Sequence, residues 1–192
     1  MCVRFIYYLG IIGFAGRVLG RLNLKSELGV ADKTSASFLY GVSILIPCYN
    51  ESESIVRTAK PLLSMKSLQE VIVINDGSKD DTLDVLIEHF QLQKSEFHVT
   101  QSLTTQPIYG IYLSRIYPKL VLIDKANGGK GDSLNAGINV SSSELVCCVD
   151  ADTIVEEYSI KAFLYEFSKR THTVAVGGPV FILNDVSKMI SL

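Results

Sequence analysis

The sequence predicts an α/β fold built on an open, mostly parallel sheet with helices on both faces. Four apolar runs each end abruptly in polar, carboxylate-bearing or glycine-rich residues, as strands do when their carboxyl ends deliver ligand-binding groups. Stretches with apolar residues at helical spacing lie between these runs, which is the order of βαβ units. The four segments are Val42 to Glu51 (VSILIPCYNE), Val71 to Thr82 (VIVINDGSKDDT), Lys125 to Gly137 (KANGGKGDSLNAG) and Glu144 to Thr153 (ELVCCVDADT).

Length and composition favour one domain without nucleic acid as a partner. The chain has 192 residues, 47% of them apolar, which suits a single domain with a sizeable core. Lys plus Arg number 18 and Asp plus Glu 20, so the basic excess of a nucleic-acid-binding surface is missing. The four cysteines show neither a CxxC spacing nor a disulfide framework, which favours reduced thiols in the cytoplasm.

The first 25 residues are predicted to form an apolar N-terminal helix. The apolar run Phe5 to Gly16 is closed off by Arg17, Arg21 and Lys25 before it reaches the ~20 residues of a membrane-spanning helix. Two interpretations stay open: a helix packed on the domain, or an anchor that lies at the cytoplasmic face of a membrane. Polar and small residues at 26–41 predict a linker, so residues 42–192 are predicted to form the ligand-binding domain.

The first βαβ unit begins with a strand at Val42 to Ile46. Asn50 and Glu53 resemble an N-cap and its partner in the first turn of the following helix, and Pro61 is expected to kink or end that helix. A second strand is predicted at Val71 to Ile74. Ser78 and Asp81 form a similar capping pattern before a second helix. The apolar positions of the two helices are Ile55, Ala59, Leu62 and Leu83, Leu86, Ile87, Phe90.

Later elements are read in the same way. Residues 91–118 have no sustained period and predict an insertion over the sheet. Strands are expected at Leu120 to Ile123 and Leu145 to Val149, with a short helix around Leu134 to Val140 between them. Thr173 to Leu183 is expected to be a last strand. An amphipathic helix before it is predicted from Ile160, Phe163, Leu164 and Phe167, spaced i, i+3, i+4, i+7.

Asp150 and Asp152 are candidate metal ligands. They flank Ala151 directly after a buried run, so both carboxylates are expected at one strand end, where Mg²⁺ or Mn²⁺ would suit them. Such an ion would hold both phosphates of a nucleotide diphosphate. The alternative is an ordinary turn with two solvated acids.

Candidate nucleoside-binding residues follow the first two strands. The carboxylate of Asp76 could accept the N3 hydrogen of uracil, Tyr49 could lie against the base, and Glu51 could bond ribose or base. Each also has a local explanation. Asp76 precedes Gly77 in a turn-forming run, and Glu51 in a first helical turn suits the helix dipole.

The glycine-rich segment Asn127 to Gly131 is a candidate phosphate loop. Its glycines would let the backbone approach phosphate, and Lys130 at the start of a helix would add a cation beside the helix N-terminus. The spacing matches neither GxxxxGK[ST] nor GxGxxG, which disfavours the purine-dinucleotide interpretations. A loop with a solvated lysine remains the alternative.

Taken together, PCYNE, NDGSKDDT, NGGKGDSLNAG and DAD resemble the family 2 glycosyltransferases of GT-A (Rossmann-like) fold from Val42 to about Leu183. The GGK and LNAG version is most similar to the processive, membrane-bound branch that makes N-acetylglucosamine polymers and hyaluronan. The resemblance implies inverting transfer from a UDP-sugar to a glycan acceptor, with a divalent metal. It places Pro47, Tyr49, Glu51 and Asp76 at the nucleoside, Lys130 at the diphosphate, Asp150 at ribose and metal, and Asp152 at the metal.

The sequence departs from the family pattern downstream of DAD. Inversion needs a general base, which the family supplies from an ED pair followed by a QxxRW motif, and neither stands in this sequence. Glu156 and Glu157 fit better as charges at a helix start, so no catalytic base is assigned. We therefore expect the N-terminal, donor-binding part of the fold, cut short on its C-terminal side. A catalytically incomplete nucleotide-sugar-binding module is the alternative. A sugar nucleotidyltransferase would need a glycine-rich phosphate loop before Val42, and the sequence has none there.

Overall fold

The computed structural model describes residues 40–96, 102–169 and 173–177, together with the backbone of four two-residue strands nearer the N-terminus. These strands are β1 (Val3–Arg4), β2 (Tyr7–Tyr8), β3 (Ile12–Gly13) and β4 (Gly16–Arg17). They are extended where a helix was predicted for residues 1–25, and the aromatic, β-branched and glycine residues of this stretch suit strands better than helix. Among the described residues, no helix combines the length and apolar composition that crossing a bilayer requires.

The main sheet has four parallel strands at its centre. In spatial order these central strands are β10, β5, β6 and β9, and β8 and β7 extend the sheet antiparallel beyond β9. On the other side β4 pairs antiparallel with β10, and β1 pairs with β4. The strands are β5 (Val42–Cys48), β6 (Glu70–Asp76), β7 (Leu92–Ser95), β8 (Ile108–Ser114), β9 (Leu120–Lys125) and β10 (Leu145–Cys148). The predicted mostly parallel α/β sheet is confirmed.

Four helices are described: α1 (Ile55–Leu62), α2 (Thr82–Phe90), α3 (Lys130–Val140) and α4 (Glu157–Lys169). Helix α3 packs on β5 and β6. The amphipathic pattern of α4 is confirmed, because its four predicted apolar positions are the ones it buries. Pro61 lies in the last turn of α1, which ends one residue later as expected.

The predicted helix caps are wrong. Helix α1 begins at Ile55 after Ser54, and α2 begins at Thr82 after Asp81, with no side-chain cap at either start. The polar residues between strand and helix bind each other across the two loops instead. Asn50 adopts a left-handed backbone with φ of 57° and bonds to the loop after β6.

Three further predictions differ from the structure. Within residues 91–118, β7 and β8 add to the edge of the sheet instead of lying over it, a pairing of segments too far apart for local periodicity to reveal. Helix α3 begins at Lys130, four residues before the predicted start. Residues 173–177 form no strand, and the rest of the strand predicted to Leu183 lies outside the described residues.

Candidate functional site

A cleft of about 280 Å³ opens at the carboxyl ends of the parallel strands. Seven residues predicted for nucleotide or metal binding line it together: Pro47, Tyr49, Glu51, Asp76, Lys130, Asp150 and Asp152. Of the predicted phosphate loop Asn127 to Gly131, Lys130 lines the cleft and the glycines do not. Cys48, Ser133 and Ala151 complete the lining.

The position of the cleft follows from the strand order. From β5 the chain proceeds outward through β6 to β9, then returns over the sheet through α3 to place β10 on the opposite side of β5. The strand order therefore reverses between β5 and β10, and ligands of open α/β sheets bind at such a switch point. The side chains of the PCYNE and DAD segments meet there.

The loops that follow β5 and β6 are joined by hydrogen bonds. The Asn50 amide donates to Ser78 Oγ (3.0 Å), and the Lys79 amide donates to Asn50 Oδ1 (2.8 Å). The Glu51 amide donates to Thr82 Oγ1 (2.9 Å). These bonds satisfy backbone donors that would otherwise be left without partners beside the cleft. The two loops thus form one wall.

The residues predicted at the nucleoside occupy this wall. Tyr49 is 43% exposed, which leaves its ring open to a flat ligand. The Glu51 carboxylate accepts a hydrogen bond from the Ser54 hydroxyl at the start of α1. The Glu51 side chain is therefore already oriented by its own loop.

Asp76 is held by several donors. Its Oδ1 accepts from Lys125 Nζ (2.6 Å) and the Gly128 amide (3.0 Å), and its Oδ2 accepts from the Gly129 amide (2.7 Å). Burial works against ionisation, but the hydrogen bonds, first that from Lys125, outweigh it and hold the pKa of Asp76 below its usual value. The side chain lines the cleft as a carboxylate and also fastens the glycine-rich loop.

Gly77 brings the end of β6 against the glycine-rich loop. Its φ is +67°, and a Cβ at this position would stand 2.8 Å from the Asn127 amide nitrogen. The side chain of Asn127 donates back to the carbonyl of Asp76 (2.8 Å). Only glycine permits both the backbone conformation and the close approach.

The phosphate and metal candidates face each other. Lys130, at the first position of α3, forms an ion pair with the Asp150 carboxylate, and each side chain is about one-third exposed. Asp152 is exposed to solvent. The segment between the two carboxylates is fastened from α1, since Thr58 Oγ1 donates to the Ala151 carbonyl (2.6 Å).

The two aspartates fit a hard divalent cation that shares its coordination with phosphate. Mg²⁺ is typically held by one or two carboxylates, substrate phosphates and water rather than by a complete protein cage. The described part of the chain contains no cluster of three or more His, Cys, Asp or Glu side chains arranged to hold a metal. Asp150 would have to exchange its bond with Lys130 for one with the ion.

Cys48 also lines the cleft, with a thiol whose environment disfavours the thiolate. Burial raises the pKa of its thiol well above the usual value, and the nearby carboxylates of Glu51, Asp80 and Asp76 raise it further. Its Sγ donates to the Ile74 carbonyl (3.4 Å).

Sequence reasoning missed Lys125. It belongs to the quoted KANGGKG segment but received no role, yet it is fully buried and bonded to Asp76. A lysine that ends a strand of otherwise apolar character was the available signal, because lysine is almost never fully buried unless it is paired.

Comparison with known proteins places these features in one family pattern. The family model described as Glycosyl transferase family 2 matches residues 43–190. The poly-beta-1,6-N-acetyl-D-glucosamine synthase of Staphylococcus epidermidis is 32% identical over 149 residues, which are 77% of this chain and 30% of that protein. The synthase of the same name from Staphylococcus aureus strain COL is 31% identical over 159 residues, 80% of this chain and 31% of that protein.

A solved structure shares the fold. The mannosyltransferase PcManGT from Pyrobaculum calidifontis, in complex with GDP-Man and Mn²⁺, superposes with a TM-score of 0.51 at 18% identity. The match covers 76% of this chain and 37% of that one. At this identity the likeness concerns the fold alone.

Proposed function

Since the chain belongs to glycosyltransferase family 2, we propose that its cleft binds a UDP-sugar together with Mg²⁺ or Mn²⁺, as the donor site for inverting sugar transfer to a glycan acceptor. The observation that carries the proposal is the convergence of four strand ends on one cleft, with all seven predicted residues in its lining. Residues 27 positions or more apart in sequence, such as Tyr49 and Asp76, meet there.

The cleft divides by chemistry into two ends. Tyr49, Glu51 and Asp76 offer an aromatic face and two carboxylates, which suit the base and ribose of a nucleoside. Lys130 at the N-terminus of α3 and the carboxylates of Asp150 and Asp152 suit a diphosphate with its cation. When bound, the cation would neutralise charge on the leaving diphosphate.

The acceptor is proposed from the relatives. The chain spans about a third of the length of the synthases it matches, and those proteins are named for making a β-1,6-linked N-acetylglucosamine polymer. We propose a growing glycan as the acceptor of the complete reaction. The other candidate is a nucleotide-sugar-binding module without transfer. It is favoured by the absence of an assignable general base among the cleft residues.

The proposed location is the cytoplasm, at the face of a membrane. The three cysteines of the described residues are free thiols, as in a reducing compartment. The apolar run Phe5 to Gly16, followed by Arg17, Arg21 and Lys25, supports membrane association of the N-terminal segment.

The test is calorimetric titration of the chain with UDP and, separately, GDP, each with and without Mn²⁺. UDP is expected to bind more tightly than GDP and more tightly with Mn²⁺. Asp152→Asn, which removes one ligand charge without changing size, is expected to weaken UDP binding in Mn²⁺ by about tenfold. Glu156→Gln is the matched control, because Glu156 is exposed, lies four residues away and does not line the cleft.

A folded chain that binds UDP neither with nor without Mn²⁺ would refute the proposed function. Tighter binding of GDP would refute UDP as the donor nucleotide while keeping the donor site. UDP binding that Mn²⁺ leaves unchanged, with Asp152→Asn behaving like Glu156→Gln, would refute the metal assignment.

A further inference from the structure

The Lys125 ammonium is completely enclosed, yet it lies directly behind the cleft. The residue is 0% exposed and does not belong to the lining. Its Nζ lies 2.6 Å from Asp76 Oδ1, 2.6 Å from Asp132 Oδ1 and 2.6 Å from the Ala126 carbonyl. Hydrogen bonds to Asp76 and to the Ala126 carbonyl use two of the three ammonium hydrogens, and Asp132 Oδ1 lies at ion-pair distance without accepting a hydrogen bond.

Stability alone is a weak explanation for this arrangement. Removing a charge from water costs several kcal/mol per ion, and buried ion pairs often contribute no more than apolar residues of the same volume would. The three elements that meet here could have packed through apolar side chains, as the core beside them does. The reason for these buried charges must therefore lie in the parts of the site that they hold in place.

The ammonium connects three pieces of the nucleotide site. Lys125 ends β9, Asp76 ends β6, and Asp132 lies in the first turn of α3. Asp76 in turn receives the amides of Gly128 and Gly129, and Asp132 Oδ2 receives the Gln106 amide (2.9 Å). The loop between β9 and α3 is thus fixed at both ends through one nitrogen atom.

We propose that Lys125 is a positioning residue for the nucleotide. It fixes the orientation of Asp76 and the course of the 126–129 loop, and thereby sets the separation between the Asp76 carboxylate and Lys130 that nucleotide binding requires. This inference rests on the proposed function. Lys125 touches no ligand and acts through Asp76 and Asp132. Asp76 Oδ1 accepts two hydrogen bonds and Oδ2 accepts one, from the Gly129 amide, so Oδ2 keeps capacity for one more donor.

The role predicts an effect on affinity that is separate from folding. Without the ammonium, Asp76 loses the hydrogen bond from Lys125, and the loop keeps the bonds to Asp76 from the Gly128 and Gly129 amides and from the Asn127 side chain. A residue that merely stabilised the fold would lower the melting temperature without changing the affinity of molecules that remain folded. The two roles therefore differ in experiments performed well below the melting temperature.

The experiment compares Asp132→Asn with the double variant Lys125→Met plus Asp132→Asn. Removing one anion with the cation avoids leaving two carboxylates, the buried Asp76 and the partly exposed Asp132, without their cation, which keeps the double variant foldable where Lys125→Met alone fails. Relative to Asp132→Asn, the double variant is expected to bind UDP about tenfold more weakly. Lys119→Met is the control, since Lys119 precedes the opposite end of β9 and its Nζ donates to the Met65 carbonyl (2.8 Å), away from the cleft lining.

A second measurement needs no nucleotide. Hydrogen exchange of the Gly128 and Gly129 amides is expected to quicken about tenfold in the double variant, while the amides of Leu134 to Val140 in α3 keep their rates. Unchanged exchange at both glycines would overturn the anchoring role.

The binding measurements distinguish failure of the positioning role from failure of the proposed function. A folded double variant that binds UDP within about twofold of Asp132→Asn overturns the positioning role. Failure of the unaltered chain to bind UDP counts against the proposed function, and the exchange measurement then still decides whether Lys125 anchors the loop.

Discussion

Lys130 and Asp150 neutralise each other in the cleft. Their ion pair involves the cation meant for the diphosphate and one of the two carboxylates meant for the metal. Both side chains are about one-third exposed, so the pair is easily exchanged for other partners. Nucleotide and metal are then expected to bind together, because each releases the side chain that the other needs.

Replacing Lys130 should uncouple the two ligands. In Lys130→Met, Mn²⁺ alone is expected to bind up to about fivefold more tightly, since an ion pair at this exposure contributes about 1 kcal/mol or less. UDP binding in Mn²⁺ should weaken, because the diphosphate loses a cation. Electron paramagnetic resonance of free Mn²⁺ measures the first effect and calorimetry the second.

The control for this change is Lys161→Met, which breaks an exposed pair with Glu157 on α4 (3.4 Å). Weaker binding of Mn²⁺ alone by Lys130→Met would contradict the competition between lysine and metal.

At the scale of elements, two glycines in the same part of the site should respond oppositely to alanine. Gly77→Ala introduces a Cβ 2.8 Å from the Asn127 nitrogen at φ +67°, and should lower the free energy of unfolding by about 1–3 kcal/mol. Gly131→Ala adds a Cβ with nothing within 4 Å inside α3, and should raise it by up to about 1 kcal/mol.

Denaturant unfolding of both variants measures these changes, with a circular dichroism spectrum to confirm that each is folded. Equal losses of stability in the two variants would show that the close approach at Gly77 is not what requires glycine there.

The elements that carry the site could be predicted because their signals are local. The strands β5, β6, β9 and β10 are continuous β-rich runs, and each site residue lies in the last two positions of one of them or within five positions beyond it. Parallel pairing then brings their carboxyl ends to one edge whatever the details of the loops.

The parts that could not be predicted depend on distant partners. Lys125 and Asp76 are 49 residues apart in sequence, and no pattern near Lys125 indicates that the Asp76 carboxylate is its partner. Asn50 and Ser78 are residue types that suit helix N-caps, but in the structure they bond to each other across the two loops. The pairing of β7 with β8 likewise spans a gap that no local pattern covers.

For the whole molecule, acid should reduce stability through two aspartates. Burial opposes the ionisation of Asp76 and some loss of hydration opposes that of Asp80, but hydrogen bonds lower the pKa of both, from Lys125 and the glycine amides in one case and from Thr82 and Ser52 in the other. A depressed folded-state pKa contributes stability above the unfolded value of about 3.9, and this is lost as the pH falls through the folded value.

Chemical denaturation from pH 7 to pH 3 tests this expectation. The free energy of unfolding should decline from about pH 5 downward, and the difference between the unaltered chain and Asp76→Asn should shrink as the pH falls. A difference that stays constant over this range would mean that Asp76 titrates alike in the folded and unfolded chain.

The hydrogen bonds between the loops after β5 and β6 have a consequence for the order of events at the cleft. Four backbone amides, from Asn50 to Ser52 and at Lys79, are bonded across that wall. Little conformational entropy is then left to lose when a base settles against it. The phosphate end must instead break an ion pair before it can engage. The nucleoside should therefore bind first, against the rigid wall formed by the loops after β5 and β6. The diphosphate should bind second, once Lys130 and Asp150 have separated.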